Sequence, residues 1–520
     1  MRTKYGSSLV LVAVLLALAC QDLDVVNTQS PDREQALSQP SDVETLTAST
    51  WRDFWLRWQN DDDTYNLFPV VADAFTATYA NHGALELSSE PRVPFNNSPL
   101  ATDTHTPNRT NWESLHKAVS SANDALGALA GGLRIRTGAP VVDNTKRTFV
   151  FAKMAQAVAY GHIAMLYDRA TIANEYMDLS DPRGLQYSPH RDVMDSTFAF
   201  MRVAIDTATK YTFALPDTWI NGTAFTNQDL VKQMNSYLAR FMVYGARTPE
   251  DRTALDWSRV LGYLDRGITA DYNVTLLSGT LTSGFMSRLQ QNGTFSYWGD
   301  YKMLGPADVS GAYQAWLARP IPQRDRIQIT TPDRRITGPT PTSNGSYFRY
   351  RADNIFRPER GTYHHSHYQW FRNAGRTNSG TLTLMSVDEM NLLRAEALIR
   401  LNRAAEAVPL INRTRTRTQR IGTTDYAGLP AVTAAGVPQV ADCVPRTPAG
   451  ACGSLMDALI HERAIETYAL DALIAYFDSR GSGRLPAGTF LHLPVPGREL
   501  LSSGLPLYSF GGVGGPGAAR

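Results

Sequence analysis

Apolar positions recur along this chain mostly at spacings of three and four, which predicts helices over most of its length. In SDVETLTASTWRDFWLRW, Trp51, Trp55 and Trp58 share a face with Phe54, and a stripe that strong points inward as core. Ser41, with Glu44 three residues on, predicts a capping box at the start of that helix. From Tyr79 to Thr110 no period survives, and the Pro- and Asn-rich composition predicts a long surface loop. Thr110 and Glu113 then predict the cap of a further helix, closed by Gly131 and Gly132. TFVFAKMAQAVAYGHIAMLYDRA is apolar nearly all round, the pattern of a buried central helix, with His162 as a core histidine. Two more helical stretches follow, around 191–210 and 227–247.

Between 273 and 385 the pattern breaks. Gly, Thr, Pro, Asn and Tyr dominate, and short β-like runs such as IQITT and YFRYR appear, so this stretch reads as a loop-rich lobe interrupting a helical scaffold. Helices return at Ser386, again with a glutamate, Glu389, three residues on. Two short helices broken at Asn402 predict a helical hairpin of the tetratricopeptide kind, its second member kinked or shortened by Pro409. SLMDALIHERAIETYALDALIAYFDSR predicts one last long helix, and the Gly-rich 511–520 a flexible tail. The expected fold class is therefore mainly α: a tetratricopeptide-like helical-hairpin scaffold with an irregular lobe containing short strands. Its expected parts are a leader (1–19), a tether (20–40), scaffold (41–272), lobe (273–385), scaffold (386–510) and tail (511–520).

Composition adds little to this and excludes a good deal. The 520 residues are 43% hydrophobic and 19% charged, with a net charge of +1, so nucleic acid is not an expected partner. The N-terminus is more telling. Arg2 and Lys4 precede an apolar run from Leu9 to Ala19, too short to span a bilayer, which ends in ALAC. A small residue directly before a cysteine is the mark of a bacterial lipoprotein signal. Cys20 is then the acylated first residue of the mature chain, anchored in the outer membrane. Cys443 and Cys452 lie in the turn-rich CVPRTPAGAC, and in an oxidising compartment they are expected to pair as a disulfide. A structural zinc site needs more ligands than that loop offers.

A search for catalytic and metal chemistry finds no constellation. GVGGPG near the C-terminus follows no strand and opens no helix. His364, His365 and His367 have no acidic or cysteine partner nearby in sequence. Asp61 to Asp63 lack the glycine and glutamate of a calcium loop. No cofactor and no metal are expected.

Four stretches, in this order, resemble the SusD/RagB family of outer-membrane nutrient-binding lipoproteins. The first is the lipoprotein signal. The second is the hairpin carrying Arg394, Ala395, Glu396, Ala397, Ile411 and Asn412. The third is HERAIETY…YFDSR, with Glu462, Arg463, Glu466, Phe477, Asp478 and Arg480, and the fourth is LPVPGREL, with Pro494, Pro496 and Glu499. The likeness spans essentially the whole mature chain, although ALDALIA stands where the family has a Gly and an Arg, and its customary Asn-Pro is absent. The charged matches read as ion pairs and caps.

The resemblance implies a non-catalytic cell-surface protein that captures an oligosaccharide or another nutrient. It would deliver this to a SusC-like, TonB-dependent β-barrel transporter. The acidic Asp22 and Asp24 suit a surface-export signal. The competing class is a lipid-anchored glycoside hydrolase, which needs two carboxylates about 5–10 Å apart in a cleft. Sugars present apolar faces and hydroxyl edges, so their sites combine aromatic platforms with polar side chains. On predicted loops these coincide at Tyr79 and Asn81, and at Trp298, Asp300, Tyr301, Tyr313 and Trp316. These seven are the expected ligand-binding residues, in a solvent-facing cleft.

Overall fold

The computed structural model describes residues 33–59, 62–77, 82–177, 186–290, 297–353, 366–372 and 379–520. Cys20, Asp22, Asp24, Asp61, Tyr79, Asn81, His364 and His365 lie outside them, and so do the side chains of Trp55 and Trp58. The first part of the scaffold comprises α1 (Arg33–Ser38), α2 (Pro40–Gln59), α3 (Asp62–Val71), α4 (Thr102–Ala130), α5 (Thr145–Leu166), α6 (His190–Lys210), α7 (Asn227–Gly245) and α8 (Trp257–Leu264). The second comprises α9 (Val387–Arg400), α10 (Ala404–Arg415), α11 (Leu455–Glu466) and α12 (Ile474–Gly481). Helix α2 packs on α4, α4 on α5, and so on through α8 to α9, which carries α10 and α11. Helices close in sequence are thus neighbours in space, as tandem helical hairpins require.

Helix α5 is the centre of this stack. Every residue from Val150 to Tyr167 is buried. It is also the one described helix long and apolar enough to cross a bilayer, and protein encloses it. Its Gly161 is required by close approach, since a Cβ there would lie 2.4 Å from the ring of Phe241 on α7. His162 is buried with Nδ1 2.8 Å from the Val158 carbonyl, and burial pushes its imidazole down to about 3. Trp51 and Phe54 of α2 are buried too, and Trp51 Nε1 donates to the Tyr272 hydroxyl at 2.9 Å.

Several boundaries differ from those the sequence suggests, each for a local reason. Helix α4 begins at Thr102, not Thr110, and runs through Pro107. Its polar first turns look like loop because they are buried against polar partners. Thr104 Oγ1 donates to the Asn96 carbonyl at 2.6 Å, Asn108 Nδ2 to that of Pro494 at 3.1 Å, and Thr64 Oγ1 to Asn111 Oδ1 at 3.0 Å. No capping box forms at Ser41: α2 starts at Pro40, and the Glu44 carboxylate binds Arg147 and the Thr137 hydroxyl instead. At Ser386 half the box forms. The serine accepts from Glu389 N at 3.0 Å, while the glutamate side chain turns inward to Arg240 Nε at 2.8 Å. Asn402, with φ of 59°, turns the chain between α9 and α10, and α10 continues through Pro409. The expected last helix is two, α11 and α12. Tyr468, in the break, packs at 4.3 Å from Phe75, 5.0 Å from Phe348 and 5.3 Å from Trp370.

The lobe opens on β4 (Tyr272–Leu277) and closes on β8 (Ser379–Met385). The two pair antiparallel with Leu277 opposite Ser379, so both ends of the excursion meet in a two-stranded stem. Cys443 and Cys452 are joined by a disulfide, and their loop docks on the lobe through Arg446 N to the Pro306 carbonyl at 2.7 Å. The C-terminal segment is not a loose tail. Gly512 N, Gly488 N, Leu491 N and Ala519 N form backbone hydrogen bonds linking 511–520 to 488–491, all at 2.8 Å. The glycines at 511, 512, 514 and 517 have positive φ, which lets the backbone fold back on itself there.

Candidate functional site on the lobe

The lobe interior is aromatic. Strands β1 (Phe75–Ala77) and β5 (Tyr297–Gly299) pair antiparallel, as do β6 (Phe348–Tyr350) and β7 (Tyr368–Trp370). Five of the seven expected ligand residues are described, and they sit inside this core and not on a solvent-facing cleft. Trp298, Asp300, Tyr301, Tyr313 and Trp316 are each no more than 5% exposed. The reason is local: a stretch that reads as loop folds into short strands and helical turns, each burying its own aromatics. Tyr301 and Tyr313 pack on Trp316, with ring centroids 5.2 and 6.0 Å away. The Tyr301 hydroxyl receives Ile327 N at 2.7 Å. Asp300 caps the helical turn Tyr301–Leu304 through Lys302 N at 2.8 Å and accepts from Thr76 Oγ1 at 2.8 Å.

What this core presents outward is a set of polar groups above Trp298. The guanidiniums of Arg326 and Arg351 each lie 5.2 Å from the Trp298 ring centroid, within cation–π range. Arg349 Nη2 and Arg351 Nη1 both donate to Gln369 Oε1, at 2.7 and 2.6 Å. Arg351 Nε donates to Asp353 Oδ1 at 2.8 Å, and this hydrogen bond, outweighing burial, holds the carboxyl below its usual range. Arg326 Nη1 donates to the Asp353 carbonyl at 2.9 Å. His367 stacks on Tyr350, centroids 5.0 Å apart. Its Nδ1 lies 2.8 Å from the Arg351 carbonyl, which can only accept, so Nδ1 carries the proton and Nε2 is left as an acceptor. Burial lowers this imidazole's pKa from its ordinary value, which favours that neutral form.

The arrangement suits recognition by hydrogen bonds and stacking: planar guanidinium donors, an imidazole acceptor, a carboxylate and a half-buried tyrosine ring. Sequence reasoning missed these residues by ranking aromatics above arginines. A signal was present, however. In YFRYR the arginines stand two apart, and a strand places positions i and i+2 on the same face.

The acidic family-motif residues carry no such surface role. Glu462 lies 2.6 Å from Arg335 Nη1, and Glu466 lies 3.1 Å from it, so the lobe's Arg335 is clamped onto α11. Glu396 binds Arg252 and Arg463 at 2.6 and 2.7 Å, and Asp478 binds the same two arginines at 3.0 and 2.7 Å. Burial alone would raise the Glu396 pKa, but the two guanidiniums override it and hold the carboxyl well below the usual range. Arg480 donates to the carbonyls of Met165, Leu491 and Tyr244, closing the C-terminal ends of α5 and α7. Arg394, by contrast, forms a partly exposed pair with Asp265.

No family model matches the sequence, and no curated protein matches it. Solved structures do match the fold. A SusD superfamily protein from Bacteroides thetaiotaomicron VPI-5482 aligns over 90% of this chain and 97% of its own, at 14% identity and a TM-score of 0.53. A SusD-like carbohydrate binding protein from Bacteroides fragilis NCTC 9343 aligns over 93% and 96%, at 14% identity and a TM-score of 0.54. A SusD superfamily protein from Bacteroides fragilis aligns over 89% and 98%, at 13% identity and a TM-score of 0.52. At this identity the likeness is one of fold, and the chain has the mainly helical SusD-like fold.

Proposed function

We propose that this chain is a non-catalytic lipoprotein of the outer-membrane surface, anchored through Cys20. It captures a glycan on the lobe and passes it to a SusC-like, TonB-dependent barrel. The observation that carries the reading is the polar face above Trp298, where Arg326, Arg349, Arg351, Asp353 and His367 gather beside Tyr350. It is supported by the lipoprotein signal and by the fold shared with a neighbour described as carbohydrate binding. The motif acids Glu396 and Asp478 are buried and held ionised by arginines, so neither is placed as a glycosidase's protonated general acid.

Titration calorimetry against polysaccharides, with a reducing-end assay on the same mixtures, tests this. Binding without release of reducing ends is expected. Arg351→Ala should weaken binding by about 1–3 kcal/mol while the melting temperature stays nearly unchanged. Release of reducing ends would replace the reading with the hydrolase. Unaltered affinity in Arg351→Ala would move the site off this face.

A further inference from the structure

Far from the lobe along α2, the molecule exposes a different surface. Residues 136–137 and 142–143, β2 and β3, form a hairpin between α4 and α5. Val141 and Val142 are 69% and 53% exposed at its turn. Beside it, Tyr176 is 78% exposed, Met177 43% and Tyr211 44%. Tyr176 and Tyr211 line a cleft of about 520 Å³ floored by Leu126, Leu129 and Phe149, and Asp143 of the hairpin lines it too. Exposed large apolar residues occur singly on most surfaces, but a cluster around one opening marks a contact. Its rim is basic. Arg134, Arg136 and Lys146 are exposed there, with Lys146 Nζ 4.7 Å above the Tyr211 ring. Of the acids nearby, Glu175 is neutralised by Lys153 at 2.8 Å, and Asp143 has Arg134 and Arg136 close by.

The same end receives the N-terminal helix. Arg33 of α1 pairs with Asp124 of α4, and Leu37 packs with Leu133 and Phe149 in a small separate core. The stretch from Cys20 to Arg33 reaches at most about 45 Å when fully extended. The lobe lies elsewhere: α2 meets the hairpin through Glu44 and the lobe through Gln59, which accepts from Ser283 Oγ at 2.9 Å. Those two positions are about 22 Å apart along a helix.

We infer that this end is a lipid-facing surface: Val141, Val142 and Tyr176 enter the headgroup region of an anionic leaflet, and Arg134, Arg136 and Lys146 contact its phosphates. Apolar side chains at the tip with cations behind them form the arrangement that holds a protein in a membrane interface. The inference draws on the tether reading for orientation, but its test does not depend on acylation. Acyl chains on Cys20 hold the protein at the bilayer without orienting it, so a second contact would fix which side meets the membrane.

The experiment uses the full chain bearing Cys20→Ser, which has no lipid, in flotation with two kinds of vesicle. One is phosphatidylcholine alone and the other is phosphatidylcholine mixed with phosphatidylglycerol. Binding is expected to the mixed vesicles, falling with added salt, and reduced about tenfold by Val141→Asp with Val142→Asp or by Lys146→Glu. All three positions are exposed, and circular dichroism with an unchanged melting temperature confirms folding of the variants. Absence of wild-type binding to the mixed vesicles overturns the inference, as does binding that the variants leave unchanged. A self-associating chain that the valine variant renders monomeric, with no vesicle binding, assigns the patch to a second copy instead. Acylation is read separately, by palmitate labelling of the unsubstituted chain, so failure of either reading leaves the other intact.

Discussion

Aromatic side chains meet opposite fates at the two ends of α2. At the lobe end Trp298, Trp316, Tyr301 and Tyr313 come from loop-like sequence and end up buried, with arginines over Trp298. At the hairpin end Tyr176 and Tyr211 stand in solvent beside exposed valines. The difference lies in what each stretch has to pack against. The lobe is an excursion from the helical stack whose aromatics fill a core shared with Phe75 and Tyr468, so it consumes its large side chains. The hairpin end rests on α4, α5 and α6, whose faces already fill one another, and so it can leave aromatics outside.

This contrast can be broken most sharply at the clamp between lobe and scaffold. Glu462→Ala removes the carboxylate that faces both Arg335 and Arg415 in the interior, and it should destabilise by about 3–5 kcal/mol in urea unfolding. A small change would mean that lobe and scaffold are joined by apolar contact alone. Trp298→Ala should cost about 3–5 kcal/mol, as truncation of a fully buried tryptophan does. If it left the melting temperature untouched and lowered glycan affinity, Trp298 would be a ligand platform after all. Tyr176→Ala, at the other end, should fall within about 0.5 kcal/mol of wild type, because an exposed side chain leaves no cavity. A larger loss there would show that the hairpin end also spends its aromatics on stability.

The scaffold was legible wherever apolar residues mark a buried helix, all round in α5 or on one face in the α9–α10 hairpin with its turn at Asn402. It was illegible at the start of α4, where Thr104, Asn108 and Asn111 are buried through hydrogen bonds to distant backbone and to Thr64. Helical periodicity reports apolar burial and is blind to polar burial satisfied from afar. The break between α11 and α12 was hidden for a related reason. Tyr468 leaves the helix to join an aromatic core built from residues far away in sequence. At the candidate site, aromatic content pointed to the lobe's interior, where Trp298, Tyr301, Tyr313 and Trp316 are buried. The i, i+2 arginines of YFRYR were the readable sign, since strand geometry alone puts both on one side.

The stem formed by β4 and β8 makes the lobe a cassette. Both of its ends leave the scaffold at one place, Tyr272 opposite Met385, so the two ends meet in a closed junction there. Lengthening the enclosed chain twofold adds only about 0.6 kcal/mol of closure entropy. Lobes of different size could therefore be exchanged on one unchanging stack, altering what is recognised without rebuilding what is anchored. Contacts across the boundary restrict that freedom, among them the β1–β5 pairing and Arg335. Any exchanged lobe must carry an arginine where Arg335 stands, because Glu462 and Glu466 wait for it on α11.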